Sequence, residues 1–367
     1  IDRFITYFKQ IVNQLPNKLD EKLSRLEIIS AEERQQLLYD FNNTKVDYSK
    51  GKTISQLFEE QVERTPDNIA IVYGFESITY LELNKQANQF ARYLINSGDA
   101  NQEIIGVLHE YSLDVYIGIL AVLKIGKAYL PIDSSLPDAR IQFMLKDSCV
   151  KTIITSNQED RNINNFADQI VLINTDIINE FEPVNLNLNI PRTSPVYVIY
   201  TSGSTGVPKG IVVDNRALVN LCFSHNSYYG VSYHDRVIKY AGFGFDASIW
   251  EIFPGLIVGS SLYIIEERIK YDEDKVNEYF NSRNITISFL PTQFCERFMN
   301  CKNKSLRILL TGGDKLKYYR KNEYKLYNNY GPTENTVVST RFQVDNIEDN
   351  IPIGKPLENI QVYILDK

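Results

Sequence analysis

The chain has 367 residues, with 39 Lys and Arg against 46 Asp and Glu, and a formal net charge of −7. This mildly acidic balance, without a long basic run, argues against a protein that binds the phosphate backbone of nucleic acids. A hydrophobic content of 43% is ordinary for a globular core, and the length allows two domains or one domain with subdomains.

Cysteine, histidine and hydropathy patterns exclude several further classes. The four cysteines and three histidines are too scattered for a structural zinc site, and free thiols fit a reducing compartment. The longest apolar run, residues 115–123, is too short to span a bilayer, and no signal-peptide pattern opens the chain. The sequence therefore predicts a soluble, cytoplasmic protein with no membrane partner.

Periodicity predicts an α/β architecture after a polar N-terminal segment. Residues 1–45 are thinly apolar and helical in pattern, as in a linker or the tail of a preceding domain. From residue 53 onward helices alternate with strands, which indicates a parallel sheet covered on both faces. Thr79 and Glu82 have the spacing of a capping box. The predicted strands lie at 70–73, 104–108, 152–155, 170–173, 196–200, 237–240, 285–292, within 306–314 and 325–334, and at 360–366.

Residues 196–210 combine a strand that is apolar on both faces with a loop of Ser, Thr and Gly. The glycines allow positive φ or a close backbone approach, and the hydroxyls, backbone N–H groups and Lys209 can bind phosphate oxygens. Asp214 or Asn215 is expected to cap a following helix. Strand, loop and helix together predict a nucleotide-phosphate site, and the alternative is a mobile Gly/Ser surface loop. The loop is not a Walker A motif, because Gly210 stands where Ser or Thr would follow the lysine.

The loop resembles the core motif of adenylate-forming enzymes. Five further segments, in order, resemble motifs of nonribosomal peptide synthetase adenylation domains, among them FDASIWEIF at 245–253 and NNYGPTE at 328–334; the others are 78–88, 123–133 and 353–363. The resemblance implies an α/β fold, the large N-terminal subdomain of these enzymes, with stacked mixed and parallel sheets, helices and the start of a β-barrel-like part. It assigns residues 46–367 to this subdomain and residues 1–45 to a condensation-domain tail and linker.

The family reaction joins an amino acid carboxylate to ATP, giving aminoacyl-AMP and pyrophosphate, before transfer to the phosphopantetheine of a carrier protein. Charge builds on the phosphoryl oxygens, so catalysis is mainly positioning and electrostatics. The resemblance implies that the catalytic residues are Thr201, Ser202, Thr205, Lys209 and Glu334. It implies that ATP and AMP are bound by Thr201, Ser202, Gly203, Ser204, Thr205, Gly206, Lys209, Gly312, Asn328, Asn329, Tyr330, Gly331 and Thr333.

The same resemblance implies a magnesium site and an adenine site. Glu334, with Thr333, is the implied ligand of Mg²⁺, a hard cation that prefers oxygen. Tyr330 would stack on adenine and Asn328 would hydrogen-bond it. The alternative for Glu334 is a solvated carboxylate at the start of a helix.

Asp246 is the main indication of the substrate. A carboxylate among Phe243, Phe245, Ile249 and Trp250 would be costly if it were buried without a partner, and a substrate ammonium group would supply that partner. Asp246 therefore favours an α-amino acid over an acid without an amine. The alternative is a helix N-cap, which is compatible with ligand binding.

Carrying the family's substrate pocket over to this chain gives Phe245, Asp246, Ala247, Trp250, Phe289, Leu310, Gly312, Asn329, Val337 and Val338. The implied walls are apolar apart from Asn329, without a buried charge for a basic or acidic side chain, and they resemble leucine-type pockets. One methylene contributes only about 1–3 kcal/mol of discrimination. Isoleucine, valine and methionine are therefore expected as secondary substrates.

The family pattern continues beyond residue 367 with a ribose-binding aspartate, a hinge and a small C-terminal subdomain that bears a catalytic lysine. The chain is therefore interpreted as part of a longer enzyme, with neighbouring condensation and carrier-protein domains and with weak or no activity on its own. Two other classes stay open. One is a carboxylate–CoA ligase of the same fold, and the other is a non-catalytic scaffold that retains a relic ATP site.

Overall fold

The computed structural model describes residues 1–48, 51–98, 101–109, 112–156, 169–173, 178–203, 206–346 and 350–365. These residues fall into two compact units. The large unit is Asp47–Gly354, and the small unit consists of Ile1–Val46 with Lys355–Lys367.

The large unit alternates helices and strands, as the sequence predicts. Its helices are α3 (Ile54–Arg64), α4 (Tyr80–Asn96), α5 (Asp114–Lys124), α6 (Asp138–Asp147), α7 (Asn215–Tyr229), α8 (Ala247–Leu256), α9 (Glu273–Arg283) and α10 (Thr292–Phe298). Its strands are β1 (Ile69–Tyr73), β2 (Glu76–Thr79), β3 (Ile104–His109), β4 (Ala128–Asp133), β5 (Thr152–Thr155), β6 (Gln169–Leu172), β7 (Pro195–Thr201), β8 (Lys209–Asp214), β9 (Arg236–Lys239), β10 (Ser261–Ile264), β11 (Ile287–Pro291), β12 (Ile308–Gly312), β13 (Lys325–Tyr330) and β14 (Thr340–Val344).

The first sheet of the large unit has the strand order β14-β13-β12-β11-β9-β10-β1-β2. Its inner neighbours are parallel, and the outer pairs β13/β14 and β1/β2 are antiparallel. Every residue of strand β12 is buried, as expected of a parallel strand covered on both faces. The carboxyl ends of β9, β11, β12 and β13 meet at one edge, where open α/β sheets bind ligands.

The second sheet has the order β6-β5-β3-β4-β7-β8, with only β7/β8 antiparallel among its described pairs. Both sheets are therefore mixed, and the α/β fold with mixed and parallel sheets is confirmed. The paired strands of the large unit belong to these two sheets, so the implied barrel-like part stays a prediction.

Local chemistry explains where the helices begin. The Thr79 hydroxyl accepts a hydrogen bond from the Glu82 N–H at 3.2 Å, and the Glu82 carboxylate accepts from the Thr79 N–H at 2.9 Å. This is the predicted capping box at the start of α4. Helix α5 is buried along residues 115–124, because it is apolar around its circumference. The Lys124 side chain, at the end of α5, pairs with Glu59.

The small unit contains helices α1 (Asp2–Gln14) and α2 (Ala31–Gln35) and the short strand β15 (Lys355–Pro356). The Asn42 side chain donates to the Val362 carbonyl at 3.1 Å and accepts from the Val362 N–H at 2.8 Å. The predicted strand at 360–366 is wrong, since 360–365 has no regular structure. The Val362 backbone is hydrogen-bonded by the Asn42 side chain and not by a partner strand. An alternating apolar pattern does not show which of the two partners a segment has. The condensation-domain origin of residues 1–45 stays a prediction.

Among the residues with a described conformation, no helix is both long enough and apolar enough to cross a bilayer.

Candidate active site

Strands β7 and β8 form an antiparallel hairpin in which Thr201 lies directly opposite Lys209. The sequence predicted a helix directly after the Ser/Thr/Gly loop, and this part of the prediction is wrong, because β8 separates the loop from α7. The helix cap itself was predicted correctly: the Asp214 carboxylate accepts from the Ala217 N–H at 3.0 Å. The phosphate-binding loop expected from the sequence is therefore the tip of a hairpin.

The hairpin tip is tight and exposes polar groups. A Cβ atom added to Gly203 would lie 2.3 Å from the Val207 carbonyl oxygen, so only glycine fits there. Ser202, Gly206 and Lys209 are exposed and are accessible to a ligand.

Thr201, at the end of β7, is half-buried. Ser204 and Thr205 lie outside the described residues, and their expected phosphate contacts stay predictions.

The turn Thr333–Asn335 carries the predicted metal ligand. This 3₁₀ turn follows β13, and strand β8 of the hairpin lies next to it. The Glu334 side chain is exposed. The fold thus brings the hairpin and the Glu334 turn together, as the sequence motifs required, although they belong to different parts of the chain.

Asp246 lies immediately before helix α8 and is hydrogen-bonded to this turn. Its carboxylate accepts from the Thr333 hydroxyl at 2.6 Å. Helix α8 has no side-chain cap, so capping is not what holds Asp246 in place.

Burial raises the pKa of the Asp246 carboxyl, and the nearby negative charge of Glu334 raises it further. The Thr333 hydrogen bond acts in the opposite direction and lowers it. Among the described residues, no Lys, Arg or His side chain forms an ion pair with Asp246. A cationic ligand would relieve the unfavourable burial of this carboxylate.

A cavity of about 940 Å³ lies beside Asp246. Five residues of the predicted pocket line it: Phe245, Asp246, Ala247, Phe289 and Gly312. Its walls are less apolar than expected, because Lys239, Glu267 and Lys270 also contribute to them. The expectation that no charge is buried in the pocket is therefore wrong.

Two predicted pocket residues lie behind this lining. Trp250 is buried, and its ring centroid lies 5.8 Å from that of Phe289. Leu310 is buried in β12, in register with Phe289 of β11. Both residues are therefore neighbours of Phe289 and do not line the cavity themselves.

The predicted nucleotide residues of β13 differ in their accessibility. Tyr330 is 52% exposed, so its ring is free to receive a planar ligand. Asn328 and Asn329 are buried, and their amides already donate to the carbonyls of Pro352 and Thr311 at 2.9 and 3.2 Å. Their expected ligand contacts stay predictions.

Val337 occupies a strained turn. Its φ is 69°, and the Val338 N–H donates to the Thr336 carbonyl at 2.8 Å across it. An i to i+2 hydrogen bond at positive φ defines the rare γ-turn, and a β-branched residue is unusual there. A Cβ atom on Gly331 would lie 2.3 Å from the Val337 carbonyl oxygen, so glycine is required for this close packing.

Lys239 and Glu251 are site residues that the motifs did not identify. The two side chains are buried, and Nζ of Lys239 lies 3.3 Å from Oε2 of Glu251. Burial lowers the pKa of Lys239 and raises that of Glu251, and each charge opposes the shift of the other. The one signal in the sequence was Glu251 itself, the only charged residue of the apolar helix ASIWEIFPGL.

The residues around Glu334 fit a magnesium ion that is shared with a nucleotide. The described residues contain no group of three or more His, Cys, Asp or Glu side chains placed to hold a metal. Mg²⁺ is commonly bound by one or two carboxylates together with substrate phosphates. The exposed Glu334 can supply one such carboxylate.

A model of the AMP-binding enzyme family matches residues 58–367. The chain therefore belongs to the family of AMP-binding enzymes. Its relatives within that family are nonribosomal peptide synthetases. It is 43% identical over 362 residues to bacitracin synthase 1 of Bacillus licheniformis, an alignment that covers 98% of this chain and 7% of that protein.

Solved structures of the same class share the fold. The nonribosomal peptide synthetase FmoA3, bound to α-methyl-L-serine-AMP, matches 96% of this chain and 42% of its own, with a TM-score of 0.84 and 23% identity. The N-terminal subdomain of Klebsiella oxytoca NpsA, in complex with 3-hydroxybenzoyl-AMSN, matches 85% of this chain and 81% of its own, with a TM-score of 0.71 and 23% identity. The identification as an adenylation-domain N-terminal core is thus confirmed.

Replacing Gly331 with alanine is expected to lower the free energy of unfolding by about 1–3 kcal/mol, the usual cost of forcing extra atoms into a packed site. The added Cβ would meet three backbone atoms of residues 337–339 at 2.3 to 2.7 Å. Urea denaturation measures the effect. Gly244→Ala is the matched control, because its Cβ would enter open space. Equal stabilities of the two variants would contradict the close packing.

Proposed function

We propose that this chain is the substrate- and ATP-binding core of an amino-acid-activating adenylation domain, which forms aminoacyl-AMP and pyrophosphate. The observation that carries the proposal is Asp246, a half-buried carboxylate that lines a cavity without an ion-pair partner among the described residues. The substrate ammonium group would bind it and offset its desolvation.

The neighbouring turn supports a reaction with a nucleotide. The Thr333 hydroxyl donates a hydrogen bond to Asp246, and Glu334 directly follows Thr333 in the chain. A substrate whose ammonium group binds Asp246 would therefore have its carboxylate close to the Glu334 turn and the hairpin tip. Holding the amino acid carboxylate and the nucleotide together makes their reaction effectively unimolecular. This positioning is expected to supply a large part of the rate acceleration.

Charge stabilisation would come from the hairpin and from Mg²⁺. The hydroxyls of Thr201 and Ser202 and the ammonium group of Lys209 would bind the phosphates and the departing pyrophosphate. Glu334 would hold the ion together with the nucleotide phosphates, and Thr333 retains oxygen lone pairs that can face it. When bound, the ion neutralises charge that develops on the phosphoryl oxygens.

We further propose leucine, or another medium-sized aliphatic amino acid, as the substrate. Ala247 and Phe289 offer apolar surface beside Asp246. Lys239 also lines the cavity, but its charge is paired with Glu251, so it offers little to an acidic substrate. An aliphatic side chain would therefore bind without leaving a polar group unpaired.

The chain spans less than a tenth of the length of bacitracin synthase 1. The activity of a whole synthetase that contains this chain is therefore also part of the proposal. It would need a C-terminal subdomain with a catalytic lysine, and neighbouring condensation and carrier domains, the latter with phosphopantetheine.

Leucine is expected to support the fastest ATP–pyrophosphate exchange among the twenty amino acids, with isoleucine, valine and methionine about 10- to 200-fold slower in kcat/KM. The assay should use a synthetase that contains this chain, since the chain alone is expected to be nearly inactive. Leucine at background level, with another amino acid active, would overturn the substrate proposal.

The same assay separates the alternative functions. Faster exchange with 4-methylpentanoic acid, which is leucine without its amine, would favour a carboxylate–CoA ligase. For the adenylation proposal, Glu334→Ala is expected to reduce exchange at least tenfold, since removing one preorganised electrostatic group that stabilises an oxyanion typically lowers kcat by about 10²–10³. Unchanged activity would favour a non-catalytic scaffold or another metal ligand.

Asp246→Asn is expected to raise KM for leucine and to lower kcat/KM by at least about 30-fold. Removing one partner of a buried charge pair costs about 2–5 kcal/mol, and 1.4 kcal/mol is a factor of ten. Asp314→Asn is the matched control, since Asp314 lines the same cavity but is exposed. A larger effect at Asp314 would mean that the amine binds elsewhere.

A further inference from the structure

A buried ion pair lies beside the cavity, and one of its partners, Lys239, lines it. Lys239 is the last residue of β9, Glu251 lies in α8, and their side chains are 4% and 2% exposed. The proposed chemistry uses neither residue.

Both partners also bind the backbone of Ala241. The two carboxylate oxygens of Glu251 lie 3.0 Å from the Ala241 N–H, which donates to them. Nζ of Lys239 donates to the carbonyl oxygen of Ala241. The ion pair therefore fixes the chain directly after β9 from both sides of the same residue.

The segment between the two partners is the wall of the cavity. Residues 241–246 contain Gly242 and Gly244 and form turns rather than a helix or strand. Ala241, Phe243 and Asp246 line the cavity. Its C-terminal part is also held by hydrogen bonds from α8, since Ser248 donates to the carbonyls of Phe243 and Phe245 at 3.2 and 3.0 Å, and its Asp246 side chain accepts from Thr333. Within the segment, the Phe245 N–H donates to the Gly242 carbonyl at 3.1 Å. The glycines make the segment flexible by composition, so external anchoring decides its conformation.

Stability alone does not explain the pair. Burying two charges costs nearly as much as their attraction returns, and apolar replacements of similar size are often as stable. An ion pair that is neutral for stability can still specify one conformation.

We propose that Lys239 and Glu251 are positioning residues that hold the turn 241–246, and with it Asp246, in the orientation that receives the substrate ammonium group. The inference rests on the proposed function for its effect on substrate, but its effect on the turn can be measured without any substrate.

The test is the double variant Lys239→Met/Glu251→Leu in the synthetase, compared with Lys124→Met/Glu59→Leu. The control pair is also largely buried, at 1% and 18% side-chain exposure, and joins α5 to α3 instead of holding the turn. Pairs are removed together because either single change would leave a buried charge uncompensated and could unfold the protein.

We expect the Lys239/Glu251 double variant to keep its melting temperature within a few degrees, to raise KM for the amino acid at least tenfold and to leave KM for ATP unchanged. Amide hydrogen exchange at Ala241 should accelerate at least tenfold. The control double variant should change neither the amino acid KM nor exchange at Ala241.

Each result has one meaning. If Ala241 exchange and the amino acid KM both stay at wild-type values in a folded double variant, the positioning role is overturned. If the wild type activates no amino acid but hydrogen exchange at Ala241 still accelerates in the Lys239/Glu251 double variant, the proposed function is overturned. The anchoring of the turn by the ion pair is then supported on its own. If KM for ATP rises as much as that for the amino acid, the pair stabilises the site in general and the inference is overturned.

Discussion

The hydrogen bond from the Thr333 hydroxyl to the Asp246 carboxylate connects the two halves of the candidate site. One partner begins helix α8 beside the cavity, and the other lies in the turn that carries Glu334. The bond is short, as expected when the acceptor is charged. A shift of the Asp246 segment would therefore move the Thr333–Asn335 turn, and the reverse also holds. The arrangement of the cavity depends on both segments.

This contact is possible because of where the strands end. Strands β9, β11, β12 and β13 are parallel neighbours in the first sheet, so the loops after them share one edge. The β7/β8 hairpin comes from the second sheet, and β8 lies next to the Glu334 turn. The hairpin proposed to bind phosphate belongs to the second sheet, which also places Asp133 in the cavity lining, whereas Phe289 and Gly312 come from strands of the first sheet. Both sheets therefore contribute to the candidate site.

The sequence predicted much of this because the strongest signals were local. Alternating helices and strands, the capping box at Thr79 and the Asp214 cap depend on residues close together in the chain. The antiparallel return of β8 was missed, because Lys209–Asp214 follows directly on a glycine-rich loop and has little apolar alternation. The Asn42 contacts to Val362 were missed for another reason: the two residues are 320 positions apart.

The charged groups of the cavity were harder to foresee. Lys239 at a strand end and Glu251 in an apolar helix are each unusual, but only the fold shows that they meet. Phe289 and Gly312, two residues of the motif-derived pocket that lie on neighbouring strands, do line the cavity. The motifs also placed Asn329 in the pocket, but its buried amide donates to the carbonyls of Thr311 and Tyr327, which the motifs could not show.

The γ-turn at Val337 has a consequence for which positions near the Glu334 turn tolerate substitution. The turn is fixed by backbone groups, namely the Thr336 carbonyl, the Val338 N–H and the close approach to Gly331. Side chains at 337 and 338 take no part in those hydrogen bonds. The path of the chain here therefore depends on backbone groups and on Gly331, and not on the identity of the Val338 side chain.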